Sequence, residues 1–230
     1  MNHCKTVGIV ISRVNYGEAD RIVTVLTPDY GKVSLMVKGA RRAKSKLAGG
    51  VELFSVSEIV FMQGKSSLHT LVSARLERHY GHITADLSRT MYGYEVLKAV
   101  HKITEENAEP AYYSLLQQVL GALDNFSVAI ELIRVWFDAR LLAITGHTPN
   151  FSTDRSGQAL VAATRYMFDF DSMALFASEN GAYGESEIKF CRLLLEGRSL
   201  ASLAGIAESE GIVTTIAPTF ASARTFYLPT

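Results

Sequence analysis

The apolar residues of this chain change their period once, near Tyr80, and that switch limits the architectures open to it. Before it, apolar residues alternate with polar ones or run in short β-branched blocks. "TVGIVISRV" and "RIVTVLT" read as strands, the second stopped by the turn "PDYG". In "KVSLMVK", Val33, Leu35 and Val37 share one face, while Lys32, Ser34 and Lys38 lie on the other. "VELFSVSEIVFM" shifts its apolar phase near Ser55–Ser57, which predicts a bend or bulge. "SLHTLVSARLE" alternates again and places Leu68, Val72, Ala74 and Leu76 inward. Five strands with short connections would expose two edges if left open. Closure removes both, so the spacing predicts a small five-stranded barrel over residues 1–80.

After Tyr80 the period is that of a helix. Leu87, Met91, Tyr94, Leu97 and Val100 mark one helix over 86–104, with its apolar stripe turned to a core. Pro110 is placed to start a second helix. "VAIELIRVWFDARLLAITG" is the third, with Glu131, Arg134 and Asp138 on its polar stripe and Gly146 as its stop. Residues 147–184 are loop-rich, with a strand or hairpin at "ALVAATRYMFDFD". Two more helices are expected at 186–196 and 199–209. The fold class is therefore α+β, with a barrel domain at 1–80 and a helical domain at 81–230.

The 230 residues carry no net charge, yet the charge is unevenly placed. Residues 1–80 hold 12 Lys/Arg against 6 Asp/Glu, and residues 81–230 hold 11 against 17. Such asymmetry points to an acidic partner for the basic part. The excess concentrates in one loop, "KGARRAKSKLAGG", where Lys38, Arg41, Arg42, Lys44 and Lys46 occur with no acid between them. A charge run of this kind is often only a solvated surface. On a small barrel, however, a flexible cationic loop can follow the repeating phosphates of a nucleic acid strand, and nearby aromatic rings can stack on its bases. Tyr16 and Tyr30 lie in turns and are better platforms than Phe54, Phe61 and Tyr80, whose strand positions favour the core. Arg21 and Lys32, in the flanking strands, complete the candidate set with Tyr16.

No phosphate-binding glycine motif, HExxH or GxSxG is present, and the six histidines are scattered. No catalytic residue, cofactor or metal site is expected. Cys4 and Cys191 are the only cysteines, which fits a reducing compartment. The first residues lack a signal-peptide pattern and no run is long enough to span a bilayer, so a cytoplasmic, nucleoid-associated protein without a membrane partner is expected.

Residues 16–61, "YGEADRIVTVLTPDYGKVSLMVKGARRAKSKLAGGVELFSVSEIVF", closely resemble the N-terminal domain of the bacterial RecO family of DNA-repair recombination mediators. "LHTLVSARL" at 68–76 and "GHTPNF" at 146–151 extend the resemblance. It implies an OB-fold followed by a helical domain. It implies binding of single- and double-stranded DNA, annealing of complementary strands, and work with RecR and with the tail of single-strand-binding protein to load RecA. The five loop cations match the family's basic segment. Many members also carry a cysteine zinc module after the "GHTP" segment. Residues 147–190 here contain no cysteine, so a zinc-less, remodelled segment is expected at about 147–185, with Phe151, Tyr166, Phe168, Phe170 and Phe176 as an apolar replacement core. Arg134, Arg140, Arg192 and Arg198 are the cations expected near the apolar groove that would take the tail. The alternatives are an enzyme acting on nucleic acid, and an OB-fold scaffold or RNA-binding protein that uses the basic loop on an acidic partner.

Overall fold

The computed structural model describes residues 2–64 and 66–229. The chain divides after Asp124 into two compact units. The first contains a closed barrel of five strands: β1 (His3–Tyr16), β2 (Asp20–Thr27), β3 (Gly31–Val37), β4 (Ser55–Met62) and β5 (Leu68–His79). Around the barrel the order is β1-β2-β3-β5-β4, returning to β1. β3 and β5 run parallel and every other pair is antiparallel. This is the five-stranded Greek-key order of an OB-fold. The alternation in β3 decides its orientation, because Val33, Leu35 and Val37 are buried with Val10, Val23, Val25, Ile59 and Phe61.

The irregularity expected near Ser55–Ser57 is present, but the extra residue is on the partner strand: Val56 pairs with Arg78 and Ser57 with Leu76, leaving Glu77 of β5 unpaired. β5 departs from the expected phase. Val60 pairs with Ser73 and Phe61 with Leu71, so Val72 is the unpaired extra residue of a second irregularity. An extra residue reverses the faces. Leu71 is therefore the core residue, whereas Val72 and Leu76 are exposed.

Two helices complete this unit, α1 (Leu87–Ile103) and α2 (Pro110–Leu123). Asp86 caps α1 by accepting from the Arg89 amide, and Pro110 opens α2 as expected. The change of period at Tyr80 is a change of secondary structure; the compact units divide 44 residues later, because α1 and α2 belong to the first unit with the barrel. The face that α1 buries is the expected one only at Leu97 and Val100. Tyr92, Gly93, Val96, Leu97 and Val100 are buried, while Leu87, Met91 and Tyr94 face solvent.

The second unit holds α3 (Ile130–Ile144), a small sheet of β6 (Asn150–Asp154), β7 (Tyr166–Asp169) and β8 (Ala174–Ala177) in the order β6-β8-β7, and then α4 (Glu185–Leu195), α5 (Leu200–Ala204) and α6 (Ser209–Tyr227). Asp138 is not on the solvent stripe of α3. It is buried, and its carboxylate meets Arg224 of α6 at 3.0 Å. Phe151 is the hub of the remodelled segment. Its ring lies 5.8 Å from Phe168, 5.6 Å from Tyr183 and 6.1 Å from Phe220, and its carbonyl accepts from Arg192 Nε at 2.7 Å. Tyr166 is buried as expected, Phe168 and Phe170 are half-buried, and Phe176 lies under the Arg155 guanidinium. Tyr183 and Phe220 were not in the expected set: Tyr183 lies at the end of the cysteine-free region, just before α4, and Phe220 comes from α6 beyond it. No helix among the described residues is long and apolar enough to cross a membrane.

Candidate nucleic-acid interface

The basic loop joins β3 to β4 and is pinned at both ends. At its start Gly39 has φ of 66°, and its amide donates to Asp20 Oδ1 at 2.7 Å. The Arg41 amide donates to the Ala19 carbonyl at 2.9 Å. These bonds tie the loop to the tip of the β1–β2 hairpin. At its far end Leu47 packs on the barrel core. Gly50 comes so close to β5 that an added Cβ would lie 2.6 Å from the Ala74 side chain and 2.8 Å from its carbonyl, which only glycine permits.

Between these anchors Lys38, Arg41, Arg42, Lys44 and Lys46 are all exposed, and none forms an ion pair among the described residues. Five cations without counter-charges make this edge strongly positive. They are not equivalent. Arg41 Nη1 donates to the carbonyls of Gly17 and Glu18 at 3.3 and 3.1 Å, so its side chain braces the loop against the hairpin tip. The other four have no such bond.

Tyr16 stands at the end of β1 beside that tip, 54% exposed. Arg21 pairs in register with Asn15 and Val37, which puts it next to the start of the loop. Its guanidinium is shared between Asn15 Oδ1 at 3.1 Å and Glu52 Oε1 at 3.5 Å. Seven of the eight candidate residues therefore gather at one end of the barrel.

Lys32 is the exception. It lies at the opposite end of β3, six residues or about 20 Å from Lys38. Its ammonium donates to the carbonyls of His101 and Thr104 at the C-terminal end of α1, and burial pushes its pKa down. A cation there satisfies carbonyls that the helix leaves unpaired. Tyr30 lies at that same far end, edge-on to Phe61 at 5.5 Å. Phe54, Phe61 and Tyr80 are buried.

The donor set does not fit zinc. Cys191 is fully buried, and burial raises its thiol pKa well above the usual value, which disfavours the thiolate a metal requires. Among the described residues no three His, Cys, Asp or Glu side chains are grouped to hold an ion.

The fold and this edge define an OB-fold protein with a cationic loop, extended by helices. Residues 1–80 match the family described as Recombination protein O N terminal, and residues 84–184 match Recombination protein O C terminal. The chain belongs to the RecO family. It is 40% identical over 153 residues to the DNA repair protein RecO of Acetivibrio thermocellus, covering 65% of this chain and 59% of that protein. It is 35% identical over 164 residues to the DNA repair protein RecO of Dehalococcoides mccartyi, covering 70% and 64%. Against the DNA repair protein RecO of Halalkalibacterium halodurans it is 34% identical over 146 residues, covering 63% and 57%. The chain thus spans about three fifths of the length of these relatives.

Proposed function

We propose that this chain is a DNA-binding recombination mediator in DNA repair, which holds single and double strands by their phosphates and speeds annealing of complementary strands. The observation that carries the reading is the row of exposed, unpaired cations between the two anchors of the β3–β4 loop. Neutralised phosphates no longer repel, so two strands held this way pair faster without nucleotide hydrolysis. The role requires no catalytic residue. Family membership, and the naming of its relatives as DNA repair proteins, support it.

The test is binding of a fluorescent single-stranded oligonucleotide across a salt series. Four free loop cations give a slope of log K against log salt of about −2.8, or steeper if other cations join them. Arg42→Ala should make the slope shallower by about 0.7. Arg41→Ala should change it less, because that guanidinium is bonded to carbonyls. Lys32→Ala should leave it unchanged, since its ammonium is turned to α1. A slope near zero for the unaltered chain would reject the proposal in favour of a scaffold role.

By the same family membership the proposed partners are RecR and the acidic, apolar-ended tail of single-strand-binding protein, with RecA loaded downstream. The tail is assigned to the helical residues of 81–230. Arg140 and Arg192 are committed to the carbonyls of Leu195 and Phe151; Arg134 pairs with Glu131 at 3.7 Å with its side chain 33% exposed, and Arg198 pairs with Glu196 at 3.7 Å with its side chain 61% exposed, so Arg198 is the most accessible rim cation of the four. A tail peptide should bind the intact chain, and Arg198→Ala should weaken it about ten-fold, the size expected for losing one charge-assisted bond. Unaltered binding in that variant would move the contact elsewhere.

A further inference from the structure

The exposed stripe of α1 leads into a cleft that the proposed function does not yet use. At 3.6 residues per turn, Leu87, Met91, Tyr94, Lys98 and His101 fall within roughly 80° of one another. The first three are 75%, 58% and 48% exposed, although their spacing is that of a core stripe. At the C-terminal end of the stripe, Tyr94, Leu97, Lys98 and His101 form one wall of a cleft of about 360 Å³. Ile11, Ser12 and Arg13 of β1 and Leu53 form the other. The floor is apolar and no carboxylate lines it. The Tyr94 ring rests against Phe54 at 5.1 Å, which holds it in place and leaves its other side open.

This cleft is continuous with the cationic edge. The Arg13 guanidinium is bonded to Glu52, whose other oxygen takes Arg21, and Arg21 lies beside the start of the basic loop. The two guanidiniums offset Glu52, so no net negative charge separates the loop from the cleft. Lys98 is exposed and has no counter-ion among the described residues. From Arg13 to Tyr16 is three residues of β1, about 10 Å.

The geometry points to a nucleotide subsite on α1: an unpaired base of the bound strand stacks on Tyr94 over the floor of Ile11, Leu53 and Leu97, and Lys98 takes its phosphate. This rests on the DNA-binding reading above and adds the ligand's form. The cleft is at the small end of the range for sites that enclose a small organic group, about 300–1,000 Å³. A base inside a duplex presents only its edges and cannot enter, so the subsite selects single strands. The loop, which touches phosphates alone, makes no such distinction.

The experiment uses the unaltered chain with a single-stranded oligothymidylate containing 5-iodouracil, cross-linked by light and mapped by peptide sequencing. Cross-linking to Tyr94 is the expected result. Tyr94→Ala should lower affinity for that strand about ten-fold while leaving duplex affinity within about two-fold, and Tyr94→Phe should retain both. Lys98→Ala should make the single-strand salt slope shallower by about 0.7. Cross-links in the β3–β4 loop without any at Tyr94 would overturn this inference and leave the DNA-binding reading standing. So would an equal loss of duplex binding in Tyr94→Ala. Absence of binding to any oligonucleotide would remove both. If Tyr94→Ala fails to fold, the cross-link on the unaltered chain decides.

Discussion

Replacing Lys38, Arg42, Lys44 and Lys46 together by alanine should lower affinity for a single strand about 200-fold at 0.15 M salt. Each single-strand phosphate contact contributes about 0.7 to the salt slope, which at that concentration is about 0.6 in log K. Four such contacts give the expected loss. The variant should fold normally, because all four side chains are exposed and the anchors at Asp20–Gly39, Arg41 and Leu47 remain. Thermal unfolding should therefore move by little while the binding isotherm collapses. Restoring the salt to low concentration should not recover the loss in proportion, because the variant has a shallower slope of its own. A loss below ten-fold would mean that the phosphates run elsewhere on the molecule.

Phe151→Ala should destabilise the second unit by about 3–5 kcal/mol, the range for truncating a fully buried aromatic residue. Phe151 is 2% exposed and touches rings from β7, the loop before α4, and α6. Trp136, the only tryptophan, is buried in α3 of the same unit, so its fluorescence during denaturant unfolding reports the change directly. A cost below 1 kcal/mol with an unchanged denaturant slope would show that Phe151 is not the hub of this segment.

The two expected results differ in how far the sequence foretold them. Charge needs no neighbour to be counted, so the basic loop was legible from "KGARRAKSKLAGG" alone. So was the barrel, because side chains of a strand alternate faces and only one face of β3 is apolar. The start of α2 at Pro110 followed from the missing amide of proline. The core of the second unit was half legible. Phe151 and Tyr166 stood out in a region without cysteines, but Tyr183 and Phe220 join them only through the packing of α4 and α6.

Lys32 and Lys38 show where sequence stops. Lys32 lies in β3 and Lys38 one residue past its end, six residues apart in the same phase of the alternation, and nothing local separates them. One meets the open carbonyls of a helix more than sixty residues further on, and the other meets only solvent. The inward face of β5 was misplaced for a related reason: a bulge is a property of two paired strands, and Val72 is extra only relative to Val60 and Phe61. The stripe of α1 repeats the lesson. Leu87, Met91 and Tyr94 have the spacing of a buried face, and so do Tyr92, Val96 and Val100. By itself the sequence determined which elements form and where the charge collects, since both depend on residues close along the chain. Only the tertiary structure decided which of two apolar faces is buried and which cations remain free, since both depend on what a distant segment brings to them.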